Sequence, residues 1–205
     1  MEAKGQVLTN GDVSSLVIDE LCDQARGQNA TVACFYFDFV ARKEQSPTNI
    51  LGALLKQLVC GLEATPKEIS LAYQSQKTAI GGRGPQLADI VKMLYITTSE
   101  KPAFICIDAL DECEAGYRAK ILNSLAAILQ RSPGTRMFVT GRPHIEDEVR
   151  KRLPGSGTAI RIAPRRDDII SYLHSRLDED ATPDAMDASL KADILKKIPE
   201  SISDM

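Results

Sequence analysis

The run Phe104-Ile105-Cys106-Ile107, followed at once by Asp108-Ala109-Leu110-Asp111-Glu112, constrains this chain more than any other stretch. An apolar run without charge predicts a strand buried on both faces, the habit of parallel sheets covered by helices. Such a strand meets water only at its ends, and in open α/β sheets ligands sit outside the carboxyl ends. Carboxylates there can hold Mg²⁺, directly or through its waters, and can orient an attacking water. The same residues also admit a plain reading, in which Asp108 caps a turn and Asp111 and Glu112 begin a solvated helix.

The rest of the chain alternates strands with helices, which argues for an α/β fold with a parallel sheet. Strands are predicted over about 31–39, 103–108, 136–140 and 159–163, from their β-branched and aromatic content. An Asn10-Gly11 turn and an N-cap at Asp12 predict a helix from about Val13 to Arg26, with Leu16, Val17, Leu21 and Cys22 on one side. Ser46-Pro47 predicts the start of a core helix carrying Ile50, Leu51, Leu54, Leu55 and Leu58. Further helices follow Thr65-Pro66, Pro85 and Glu112, and a short one is expected near Ile145 to Leu153, with His144 as its cap. Gly81-Gly82-Arg83-Gly84 reads as a flexible loop, because no strand precedes it. Beyond Pro164 lie a helix with Ile169, Ile170, Leu173 and Leu177, a break at Thr182-Pro183, and a last helix ending near Pro199.

Composition narrows the function. At 205 residues the chain is long enough to bury a substantial interior. A net charge of −3 and a pI near 5.5 argue against an electrostatic nucleic-acid binder. No apolar run is long enough to cross a bilayer, and the start Met1-Glu2-Ala3-Lys4 does not read as a signal peptide. The five cysteines show no Cys-x-x-Cys spacing and read as reduced, mostly buried thiols of an intracellular protein. With two histidines in all, a zinc site is not expected.

The segment from Phe104 to Cys113 resembles the Walker B segment of NACHT-type P-loop NTPases of the STAND class, in the nephrocystin-like subgroup. Met137-Phe138-Val139-Thr140-Gly141-Arg142-Pro143-His144 is similar to that family's sensor stretch, and Ser14 to Leu21 to the helix after its phosphate-binding loop. The resemblance implies a P-loop NTPase-like three-layer fold, with a core over 1–163 and the beginning of a helical lid over 164–205. It implies Mg²⁺ and ATP or GTP as cofactors. Asp108 would bind the metal, Asp111 or Glu112 would orient water, and Thr140 and Arg142 would detect the terminal phosphate. Without nucleotide, Arg142 is instead expected to pair with Asp108 or Asp111. The partners implied are other proteins, or further copies through a longer parent chain, in the cytoplasm, with no nucleic acid and no membrane.

One part of the family pattern is missing. The phosphate-binding loop has the form G-x-x-x-x-G-K-[ST], and no Gly-Lys-Ser/Thr occurs here. Aligning the helices puts Asn10 near the Lys position and Gly11 near the hydroxyl position, with Asp12 adding negative charge where phosphate should bind. The P-loop strand is thus expected to be missing or replaced, with Gln6 to Thr9 as a substitute or a partner chain closing the gap. The ends of the chain read as those of a fragment. Three functions stay open: a nucleotide-driven signalling switch, a nucleotide-deficient interaction module, and, last, an unrelated acid–base hydrolase.

Overall fold

The computed structural model describes residues 10–78, 84–153, 155, 157–162, 165–178 and 187–203. Two compact units result, one over 10–157 and a second comprising the described residues from Thr158 onward. The expected substitute strand at 6–9, the loop at 81–83 and the Thr182-Pro183 break lie outside the described residues.

Three parallel strands form the sheet of the first unit, β1 (Thr31–Tyr36), β2 (Ala103–Asp108) and β3 (Thr135–Val139), in the order β1-β2-β3. Their registers align Ala33 with Ile105 and Met137, and Cys34 with Cys106 and Phe138. Because side chains alternate along a strand, these rows point to opposite faces. Helix α1 (Asn10–Gln28) packs on the Cys34–Cys106 side. On the other side lie α2 (Pro47–Cys60), α4 (Leu87–Glu100) and α5 (Ala115–Arg131), with α3 (Lys67–Thr78) between α2 and α4 in sequence. This is the expected α/β arrangement of three layers.

The main core forms where three helical stripes meet the sheet. Ile50, Leu51, Leu54 and Leu58 of α2, Ile90 and Leu94 of α4, and Ile121, Leu122 and Leu125 of α5 are essentially inaccessible, around Ala33, Ile105 and Ile107. Each such side chain contributes about 1.5–3 kcal/mol when fully buried. The helix starts are chemically defined as well. Ser46 accepts the Asn49 N–H at 3.3 Å ahead of Pro47, and the Gln86 N–H is taken by Asp89 at 3.2 Å.

Several expectations are corrected. The first strand ends at Tyr36 rather than Phe39, because the Asp38 carboxylate takes the Val40 N–H at 2.8 Å and turns the chain. Helix α1 begins at Asn10, so Asp12 lies inside it. The expected Asn10-Gly11 turn and Asp12 cap therefore fall within helical backbone. Leu16 is 55% exposed, and the stripe facing the sheet runs through Ser14, Ile18 and Ala25. Residues 158–162 are not a strand. Among the described residues the sheet ends at β3, and without a neighbouring ladder a β-branched run has nothing to pair with; Ile160 and Ile162 are exposed. Only Cys106 and Cys113 are buried, while Cys60 is exposed.

In the second unit α7 (Arg166–Asp178) packs against α8 (Ala188–Ser203), with Lys191 and Asp178 paired at 3.0 Å. Helix α8 runs past Pro199 to Ser203 instead of stopping there. A proline this near the end removes one N–H bond, and the helix tolerates it for its last turn.

Candidate acidic site at the strand ends

The carboxyl ends of β2 and β3 and the amino-terminal part of α1 converge on Asp108. Its Oδ1 accepts hydrogen bonds from the Ser14 hydroxyl and, at 2.6 Å, from the Thr140 hydroxyl. Thr140 Oγ1 in turn accepts the Ala109 N–H at 3.0 Å, and the Thr140 backbone bonds both Ile107 and Leu110. The two strand ends are thereby stitched together around one carboxylate. Ala109 holds left-handed backbone angles (φ 53°, ψ 44°), which cost an L-residue about 1–2 kcal/mol. That conformation turns the chain sharply into the 3-10 turn Leu110–Glu112 and explains a small residue after Asp108.

The other two carboxylates are committed elsewhere. Asp111 accepts the Arg142 N–H at 3.2 Å and pairs with its Nε at 3.3 Å, its own side chain only 8% exposed. Of the two pairings expected for Arg142, the structure makes the one to Asp111 and not to Asp108. Glu112 Oε2 accepts the Phe39 N–H at 3.0 Å and so holds the loop after β1. Gly141 lets this turn close, since a Cβ there would meet Cδ1 of buried Ile145 at 2.7 Å. His144 lies exposed in the 3-10 turn Pro143–Ile145, ahead of α6 (Glu146–Arg152), and is not its cap; that position belongs to Ile145.

Behind the rim, Arg118 of α5 is nearly buried and bonds Glu148 of α6 at 2.7 Å and the Cys113 carbonyl at 3.0 Å. Glu148 also receives Arg152 at 3.1 Å. Burial alone would raise the Glu148 carboxyl, but Arg118 and then Arg152 outweigh it and hold it below the ordinary value. This network ties the segment after Glu112 to the helix after Arg142. Two cavities, of about 270 and 410 Å³, open at the amino ends of the strands, and neither touches Asp108.

Sequence reasoning missed Ser14, Glu112's role toward Phe39, and Arg118. Ser14 had one legible signal, a polar residue on the same helical stripe as Ile18 and Ala25 near the start of α1. Its position also shifts the motif alignment. The hydroxyl that reaches Asp108 stands three residues after Gly11, and Val13 precedes it where the phosphate-binding motif has Lys.

A Mg²⁺ ion in a P-loop site takes a Ser or Thr hydroxyl and a strand-end Asp, its remaining positions filled by water and phosphate oxygens. Ser14 and Asp108 fit that small donor set. Among the described residues no group of three or more His, Cys, Asp or Glu side chains is arranged to hold a metal. The phosphate half does not fit, because Val13 carries no charge and the sequence holds no Gly-Lys pair.

Residues 13–142, more than half of the chain, match the family described as nephrocystin 3, N-terminal. The chain belongs to that family. The match spans the whole acidic rim, from Ser14 through Asp108 to Arg142. Among solved structures, this nephrocystin-type chain is similar to the Orc1 protein of Aeropyrum pernix, solved in complex with DNA. The two are 16% identical with a TM-score of 0.49, over 95% of this chain and 51% of that one. The nephrocystin-type chain therefore spans about half the length of that protein. No curated protein matches it. No described helix is long and apolar enough to cross a membrane.

Proposed function

We propose that this chain is a NACHT-type domain of the STAND class that has lost its phosphate grip. It serves a cytoplasmic signalling protein as an interaction module and does not turn over nucleotide. The observation that carries this reading is the Ser14–Asp108 hydrogen bond, made by a helix with Val13 at the lysine position. The metal-facing pair persists while the cation that should meet the phosphates is gone. Phosphoryl transfer is almost wholly positioning and charge stabilisation, so loss of the cradle and its lysine removes binding together with rate. The pairing of Asp111 with Arg142, and of Glu112 with Phe39, agrees with side chains serving structure.

The retained Asp108, Asp111, Glu112 and Arg142 favour a second reading. A longer chain supplying a Gly-Lys-Ser/Thr segment upstream would bind ATP or GTP. Asp108 would then bind Mg²⁺, Thr140 and Arg142 would detect the terminal phosphate, and Asp111 or Glu112 would orient the attacking water. Partners under either reading are proteins, or further copies through a longer parent chain. A net charge of −3 favours protein partners over nucleic acid.

Isothermal titration of this polypeptide with MgATP and MgGTP is the test. No saturable binding is expected. Dissociation constants in the low micromolar range would sink the interaction-module reading in favour of the switch.

A further inference from the structure

The two outer edges of the sheet are finished differently. Along a strand, successive residues turn their backbone N–H and C=O groups to alternate sides. On β1 the N–H groups of Thr31 and Phe37 reach toward β2, so Cys34 faces outward, and Gln57 takes both of its groups. On β3 the Thr140 N–H reaches Ile107 of β2, so Met137 and Val139 face outward. Among the described residues nothing bonds those outward groups. The run Thr135–Val139 holds no proline or lysine and pairs with β2 without a bulge, so the usual guards of an edge are missing.

The face beside that edge is open as well. Phe138 shares the side of Cys34 and Cys106, where α1 lies over β1 and β2. It is half-buried there. Arg136, on the same side, is exposed and has no ion-pair partner among the described residues.

We propose that this edge pairs with the same edge of a second copy, antiparallel, about a two-fold axis through Phe138. That axis sets Met137 opposite Val139 of the copy, and Val139 opposite Met137, so the outward groups meet and each pair exchanges both bonds. Phe138 then faces Phe138 as a non-hydrogen-bonded pair, Cα atoms about 4.5 Å apart and both rings on the α1 side. An axis through Met137 would instead oppose Val139 to Thr135, whose N–H is already taken by the Ser132 carbonyl.

Charge complements this register. Arg136 comes opposite Thr140 of the copy, whose hydroxyl holds Asp108 one strand further in. Two strand spacings, about 10 Å, then separate the Arg136 and Asp108 backbones, within the joint reach of their side chains. The copy, unlike an arbitrary strand, brings an arginine to each acidic rim. The contact is small, so the dimer is weak and concentration-dependent. It rests on the interaction-module reading and gives that module its surface and its partner.

Sedimentation velocity of the intact chain without nucleotide, from low to high micromolar concentration, tests it. A monomer–dimer equilibrium is expected, weakened about tenfold by Arg136→Glu with the far-UV circular dichroism unchanged. Register is read in a Cys60→Ser background. There Phe138→Cys should link on mild oxidation through position 138 of both copies, because that pair's spacing suits a disulfide. Met137→Cys, on the opposite face and across from Val139, should not. The proposal is overturned if the chain stays monomeric, if Arg136→Glu leaves association unchanged, or if Met137→Cys links as readily as Phe138→Cys. A monomer whose Met137 and Val139 amides resist deuterium exchange also overturns it, since another segment would then hold the edge. MgATP binding by a chain that still dimerises would sink the functional reading alone, and a nucleotide-blind monomer this proposal alone.

Discussion

The carboxamide of Gln57 bonds both backbone groups of Cys34, accepting its N–H at 3.0 Å and donating to its carbonyl at 2.9 Å. One side chain from α2 thus does for the outer edge of β1 what a fourth strand would do. An uncovered edge strand is a template for pairing with other chains, so the contact matters for solubility as well as stability. Gln57 Nε2 also reaches the Ala53 carbonyl at 3.3 Å, which anchors the amide in place.

Gln57→Leu keeps the volume and removes the clamp. We expect a loss of about 1–3 kcal/mol, the cost of leaving partly buried backbone groups without partners. Urea denaturation measures it, and light scattering should show faster aggregation than for the parent chain. Unchanged stability would mean that water replaces the amide at no cost.

Arg118 offers a second test. Arg118→Ala takes the partner from the Cys113 carbonyl and leaves Glu148 to Arg152 and water, and should cost about 1–3 kcal/mol. Lysine should rescue little, since one guanidinium makes both bonds in a fixed geometry. The depressed Glu148 carboxyl gives the interaction a pH signature. Its contribution is present above the ordinary value of 4.5 and fades as pH falls through the lower folded value. Acid unfolding of the alanine variant should therefore show a shallower loss below pH 4.5 than the parent chain. Parallel acid limbs would contradict this.

The buried thiols predict weakness in alkali. Burial holds Cys106 up to about 12 and, against the opposing charges of Arg118 and Arg42, Cys113 up to about 11, from an ordinary 9.0. Above pH 9 the unfolded chain releases these protons while the folded one keeps them, so the native state binds more protons and stability falls with rising pH. Their stabilising effect is complete below pH 9 and is lost progressively up to about 11 and 12. Subtracting a Cys106→Ala variant isolates one thiol from the tyrosines and lysines that titrate nearby. Urea midpoints from pH 8 to 11 should converge between the two proteins as pH rises; a constant gap would count against the prediction.

Much of the fold was legible because it follows from local pattern. The uncharged run before Asp108 reads as a doubly buried strand, and the Leu54–Leu58 stripe after Ser46-Pro47 as a capped core helix; both stand where expected. The segment 158–162 carries the same kind of signal and misleads. Strand propensity in Ile160 and Ile162 is realised only beside a neighbouring strand, and periodicity says nothing about whether one is there. At the site, Asp108, Asp111, Glu112, Thr140 and Arg142 were all legible as residues, while their partners were not. By sequence Arg142 could have met either aspartate, and the folded chain sets it against Asp111.

By itself the sequence determined the alternation of strands and helices, the parallel class of sheet, the acidic strand end and the missing lysine, since each is written in neighbouring residues. Tertiary structure decided which hydroxyl clasps Asp108, which amide seals β1 and which aspartate takes Arg142. Those contacts join groups far apart along the chain, 94 positions for Ser14 and Asp108, and depend on how α1 lies across the sheet. No local pattern encodes that placement, because it is the outcome of burying several apolar surfaces at once.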